Sequence, residues 1–184
     1  MGSLQDHFLI AMPAMVDPNF SETVTYICRH DVDGALGIVV NRPSGMTLGQ
    51  VFEQLSLKAS DPALLSQPVL AGGPVRRDMG FVLHRSEQTF DSTIDAGGEI
   101  KVTVSPDILG SLARGEGPDP VVVALGYAGW AAGQLEAELA ANAWLCVPAD
   151  PTLLFDMPLE QRWAAAFRLL GIATHQITRY AGHA

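Results

Sequence analysis

Lysine is almost missing from this chain. Lys58 and Lys101 stand alone, and with the arginines they bring the basic residues to 11 against 20 acidic ones, a formal net charge of −9. An acidic chain repels a phosphate backbone unless its few cations cluster. The one adjacent basic pair, Arg76-Arg77, is followed at once by Asp78. No basic stripe is therefore offered to nucleic acid, and direct DNA binding is not expected. Cysteine is scarce as well: Cys28 and Cys146 lie far apart, and neither belongs to a CxxC pair. That usage excludes a disulfide scaffold and suits a reducing compartment. Both thiols read as small buried hydrophobes, with a mutual disulfide or a reactive thiol as the alternative.

Long hydrophobic runs are missing too. The longest apolar stretch, Val121 to Gly133, is interrupted by glycine and tyrosine and falls short of the roughly 18 residues a membrane helix needs. Phe8 to Val16 is apolar, but the first basic residue is Arg29, so no positively charged leader region precedes it. Asp6 stands where an N-myristoylation signal wants Ser or Thr. A cytoplasmic protein with no membrane association is expected.

Catalytic signatures form the last absence. The chain has no P-loop, no serine flanked by glycines at −2 and +2, no GxGxxG and no HExxH. His7, His30, His84, His175 and His183 show no metal-ligand spacing. Neither a cofactor nor a metal is expected.

What is present describes a globular domain. Hydrophobic residues make up 48% and charged residues 17% of 184 positions, which fits a single domain spanning 1–184. A chain of this size buries about 70% of its unfolded surface and needs no staple. Phe8 to Ala11 reads as a strand. Val24, Tyr26 and Cys28 alternate with Thr23, Thr25 and Ile27 in a second strand from Glu22 to His30. The turn Asp31 to Gly34 joins it to Leu36–Val40 as a hairpin. Asn41 to Gly45 breaks the pattern. Thr47 and Gln50 form a capping box, and Leu48, Val51, Phe52 and Leu55 give that helix its apolar face. Ser60 to Gln67 reads as polar loop with at most a helical turn.

Further strands are predicted at Pro68 to Ala71, Gly80 to His84, Ile100 to Val104, Val121 to Leu125 and Trp144 to Val147. Ser105 is expected to cap a helix that ends at Gly115. A helix is predicted from Trp130 to Ala141, an extended piece from Thr152 to Phe155, and a last helix from Leu159 to Leu170 ending at Gly171. Trp144, Trp163 and Phe167 are expected in the core.

Three segments carry the candidate chemistry. Asn41-Arg42-Pro43 lies between a buried strand and a capped helix, where an arginine can hold a carboxylate or phosphate; it can equally serve as a structural ion pair. Ala71-Gly72-Gly73-Pro74-Val75 permits positive φ and close approach of another segment or a ligand. Gly126 to Glu136 is the most distinctive stretch. In a helical reading Gly129 and Gly133 share a face, and Gln134, Glu138 and Asn142 form a polar stripe, either solvated or lining a pocket with Trp130 at its mouth.

Taken in order, several pieces resemble the YqgE/AlgH family over nearly the whole chain. They are His7 to Pro13, Tyr26-Ile27-Cys28, Asn41-Arg42-Pro43, Gly72 to Val75, Gly80 to His84, Ser105 to Leu109, Gly126 to Glu136, Asn142 to Leu145 and Gly182-His183-Ala184. Arg29 departs from the family pattern, in which an acidic residue is common. The resemblance implies an α+β fold with a bifurcated, partly barrel-like β-sheet surrounded by helices. It also implies a bacterial cytosolic protein, and the family carries the label of transcriptional regulator.

Two functions follow as expectations. The first is a regulatory protein that acts indirectly through a small anionic ligand or a protein partner. The second is an enzyme of unassigned class using a polar pocket near Asn41, Arg42, His84 and Gln134. The candidate ligand-binding residues are Asn41, Arg42, His84, Trp130 and Gln134, with Asn41 and Arg42 expected to share a concave rim with Gly126 to Gln134.

Overall fold

The β-branched and aromatic run from Val24 to Asp31 forms the strand its composition favours, but it is buried on both faces. Val24, Tyr26 and Cys28 point into one core, while Thr25 and Ile27 are fully buried on the other side. A sheet with both faces covered organises the whole molecule. The computed structural model describes residues 2–172; His175, His183 and the closing Gly182-His183-Ala184 lie outside the described residues.

In chain order the strands are β1 (His7–Ala11), β2 (Val24–Asp31), β3 (Gly34–Val39), β4 (Pro43–Thr47), β5 (Pro68–Ala71), β6 (Val75–His84), β7 (Thr93–Asp95), β8 (Lys101–Thr103), β9 (Val121–Ala131) and β10 (Trp144–Pro148). They join in one 10-stranded sheet ordered β10-β1-β2-β3-β9-β6-β8-β7, with β4 and β5 branching from β9. The branch arises because β9 is long enough to serve two sets of partners. Its first half pairs antiparallel with β6 and parallel with β5, and its second half pairs antiparallel with β3. The fold is α+β with a bifurcated, curled sheet.

The helices are α1 (Leu48–Gln54), α2 (Pro62–Ser66), α3 (Asp107–Ala113), α4 (Gln134–Ala140), α5 (Pro151–Phe155) and α6 (Arg162–Leu169). Side-chain alternation sends successive strand residues to different cores. Val82, Val121 and Val123 meet α1 and α3, whereas Phe81, Leu83, Val122 and Ala124 meet the core that holds Leu153, Leu154 and Phe167 of α5 and α6. Leu9, Ile27, Ala128, Trp130 and Trp144 form a third cluster with Leu135 of α4.

Thr47 accepts from the Gln50 backbone and the Gln50 side chain accepts from the Thr47 backbone, the capping box expected for α1. Gly73 and Gly126 allow an approach that no side chain would permit. A Cβ on Gly73 would collide with the Tyr127 backbone and one on Gly126 with the Gly73 carbonyl, so the close approach is chain against chain.

Several boundaries differ from the sequence reading. The helix expected from Trp130 starts only at Gln134, because the strand continues to Ala131 with Ala128 and Trp130 buried and Gly129 and Ala131 exposed. Left-handed Gly133, with φ 75°, makes the turn into α4. Gly129 and Gly133 therefore share no helix face. Asn41 to Gly45 is expected to break the pattern, yet Pro43–Thr47 pairs with β5 as a short edge strand. The piece expected to be extended from Thr152 to Phe155 is α5, started by Asp150, whose carboxylate accepts from the Thr152 N–H at 2.9 Å, with Pro151 in its first turn. Ser105 does not cap α3: its hydroxyl donates to Asp107, and Pro106 holds the cap position. The last helix divides into a 3-10 turn, Leu159–Gln161, followed by α6.

Trp144 and Phe167 are buried, and Trp163 packs edge-on against Phe167 at the border of the same core. Cys28 and Cys146 are unbridged, the first buried and the second half-buried. Desolvation pushes their thiols up to about 12 and about 11, which disfavours the reactive thiolate.

Candidate functional site

Beyond the last residues of β3 the chain passes Asn41 and Arg42, and both side chains turn toward the loop that precedes β2. The Asn41 amide donates to the Glu22 carbonyl at 2.8 Å and accepts from the Val24 N–H at 2.9 Å. It thereby continues the backbone ladder by one side-chain step. The Arg42 guanidinium clasps the same loop through backbone alone, donating to the carbonyls of Pro18, Asn19 and Ser21 at 2.8, 2.7 and 2.9 Å. Carbonyl partners hold the fork in place without cancelling its charge.

Arg42 lines a cleft of about 310 Å³ with Asn19, Ser44, Gly73, Pro74 and Arg77 among its walls. Arg77 lies in the irregular part of β6, where the register against β9 shifts between Val75 and Gly80. Its side chain is exposed and makes no ion pair or hydrogen bond among the described residues. The neighbouring Arg76 instead pairs with Asp78 at 3.3 Å, which holds that carboxyl below its usual range. Among the described residues the cleft wall thus carries two guanidinium groups and no carboxylate.

Arg77 and Leu125 also border a second cleft of about 450 Å³, floored by β6 and β9 and walled by α1 and α3. A third, of about 290 Å³, is lined by Arg162. Arg162 is 6% exposed and donates to the carbonyls of Met157 and Val40, without a carboxylate partner among the described residues. Burial lowers its pKa to about 10.

The other expected site residues lie elsewhere. His84, at the far end of β6, is fully buried with Nε2 2.8 Å from the Thr103 hydroxyl, its ring edge-on to Phe90, and Nδ1 without a hydrogen-bond partner among the described residues. Desolvation lowers its pKa below the ordinary histidine value. Trp130 is 6% exposed, and so guards no pocket mouth. Its indole N–H donates to Glu138 Oε2 at 2.9 Å, the Trp144 indole donates to the same oxygen at 2.8 Å, and the Gln134 amide donates to Oε1 at 2.9 Å. Gln134 also accepts from the Ala131 N–H at 3.0 Å. These groups close on one another, and none of them lines the Arg42 cleft.

Sequence reasoning assigned no site role to Arg77 or Arg162, both of which line clefts. Arg162 had a signal, a charge three residues after Leu159 on the apolar face of a helix; Arg77 had none beyond its pairing with Arg76. Among the described residues no group of three or more His, Cys, Asp and Glu side chains could hold a metal ion, and no helix is long and apolar enough to cross a membrane.

The architecture is that of the AlgH-like proteins, and the chain belongs to that family: the AlgH-like DUF179 family model matches residues 8–175. The UPF0301 protein AlgH of Pseudomonas aeruginosa is 52% identical over 182 residues, covering 98% of this chain and 96% of the relative. A UPF0301 protein of Saccharophagus degradans is also 52% identical over 182 residues, covering 99% and 89% of the two chains. The solution structure of the Pseudomonas aeruginosa AlgH protein superposes with a TM-score of 0.81 at 51% identity, covering 99% of this chain and 96% of that one. The crystal structure of protein DIP2367 from Corynebacterium diphtheriae shares the fold with a TM-score of 0.74 at 19% identity, covering 100% and 94%.

Proposed function

We propose that this protein binds a small anion, a carboxylate or phosphate ester, in the Arg42–Arg77 cleft, and that it acts as a non-enzymatic regulatory protein. The observation that carries this reading is the charge of the cleft wall: among the described residues, two guanidinium groups and no carboxylate, in a chain of net charge −9. The volume suits a small ligand. Arg42 is pre-set by its carbonyl partners, so little side-chain entropy is lost when an anion arrives.

The wall also favours binding over catalysis. Its arginines are poor proton carriers at neutral pH, and the Ser44 hydroxyl is committed to the Val69 carbonyl at 2.6 Å, with no histidine or carboxylate on the cleft wall among the described residues. The reading places the protein in a bacterial cytosol. Any influence on transcription is then indirect, through the bound anion or a protein partner, because an acidic chain without a basic stripe does not hold duplex DNA.

Isothermal titration with inorganic phosphate tests the idea, and a metabolite pull-down read by mass spectrometry identifies the natural ligand. Arg77→Ala should weaken phosphate binding by about tenfold or more, the value of a lost charge-assisted hydrogen bond, with no change in the thermal midpoint. Binding unaffected by Arg77→Ala and Arg42→Ala together would remove the cleft from consideration. Anisotropy titration with duplex DNA at about 150 mM salt should show no sequence-selective binding near the 10⁻⁸ M typical of specific complexes.

A further inference from the structure

We propose that the anion held between Arg42 and Arg77 carries an apolar arm, and that this arm lies in the adjoining cleft between α1 and α3. The site is then built for a soluble amphipathic anion, an alkyl or acyl phosphate ester or carboxylate. This rests on the anion-binding reading above and names its ligand class.

The two clefts meet at the same two side chains, Arg77 and Leu125. On the far side of that junction the wall is formed by Met46, Val51, Leu55, Val82, Leu109 and Val123. Leu55, the residue at the C-terminal cap of α1, is 48% exposed, while Leu48, Val51 and Phe52 of the helix are buried. A single exposed leucine is ordinary. An apolar concavity of about 450 Å³ that opens beside a guanidinium with no ion-pair partner among the described residues is a different feature, since it offers burial to a hydrocarbon and a counter-charge to its head at one junction.

Charge sets the orientation. Among the described residues Asp78 is the only carboxylate on either wall, and it borders the second cleft. The first cleft offers the head two guanidinium groups, whereas in the second Asp78 stands beside Arg77 and is itself paired with Arg76, so the head meets Arg42 and Arg77 and the arm extends over Leu125 toward Leu109. The methylene stem of Arg77 can cover the start of the arm while its guanidinium meets the head.

Titration calorimetry with inorganic phosphate, butyl phosphate and octyl phosphate, each below its micellar concentration, tests this directly. Affinity should rise with chain length, by up to about fourfold for each methylene that is fully buried. Leu55→Gln, at an exposed position that leaves folding intact, and Leu109→Gln should flatten that rise. Arg77→Ala should weaken every member of the series. Equal affinity for inorganic and octyl phosphate overturns the apolar arm and leaves the anion reading standing. A length dependence that survives both leucine variants overturns it too. Binding to phosphatidic acid vesicles without binding to free octyl phosphate overturns the soluble ligand and assigns the clefts to a lipid surface. No binding by any member overturns the arm and the anion reading together.

Discussion

Glu138 and Arg77 are both charged side chains beside the long strand β9, and they meet opposite circumstances. Two indole N–H groups and a glutamine amide converge on the Glu138 carboxylate. No side chain among the described residues approaches Arg77 closely enough to pair with it, and two clefts open against it. The first region is closed: each polar group has a partner inside the protein, and little capacity is left for a ligand. The second keeps its hydrogen-bonding capacity unspent. The distinctive sequence around Gly126 to Glu136 therefore builds an internal brace, and the undistinguished Arg76-Arg77-Asp78 carries the available cation. A recognisable motif marks a demanding piece of folding as readily as it marks a site.

That contrast is broken or sharpened most strongly at the aromatic brace. Trp144→Ala should cost about 3–5 kcal/mol of stability by denaturant titration and leave phosphate affinity per folded molecule unchanged; a selective loss of affinity would make the brace part of the site. Glu138→Leu should cost about 1–3 kcal/mol for each indole N–H left unpaired, with a red shift in tryptophan emission if water enters. Arg77→Ala should do the reverse, holding stability within about 0.5 kcal/mol while phosphate binding falls by about tenfold.

The smallest effect concerns His84, which belongs to neither region. Its pKa is depressed by desolvation in the folded state. The stability this gives is present above the ordinary histidine pKa of about 6.5 and is lost as pH falls through that value toward the folded one. A plot of denaturant midpoint against pH should lose part of its acid slope in His84→Gln. An unchanged slope would show that other groups govern it.

Much of the fold could be read from local chemistry. The β1 to β3 strands, the Thr47 capping box and the chain reversal at Gly171 follow from alternation, side-chain hydrogen bonding and φ > 0 at glycine, where Gly171 has φ 73°. The misread elements carried usable signals. Asp150-Pro151 is a helix start, and the alternating burial of Ala128, Gly129, Trp130 and Ala131 is strand-like. There the helical spacing of small residues competed with a period of two, and pairing with β3 decided between them.

The candidate site was legible only in part. Arg42 drew notice because it stands beside a strand end and a helix start, and it lines a cleft. Asn41 instead serves the backbone of Glu22 and Val24, and His84 is sealed beneath Phe90. Trp130 and Gln134 are held by Glu138.

By itself the sequence determined the class of the fold, the position of most strands along the chain, the closure of its turns and the acidic balance. Only the tertiary structure decided that Arg42 and Arg77 share one wall, that β9 forks the sheet, and that Trp130 turns inward. The reason is physical: alternation, capping and glycine torsions act over a few residues and leave a local trace. Whether a charged group is paired or free depends on which distant carbonyls and carboxylates folding brings to it, and no neighbouring residue records that.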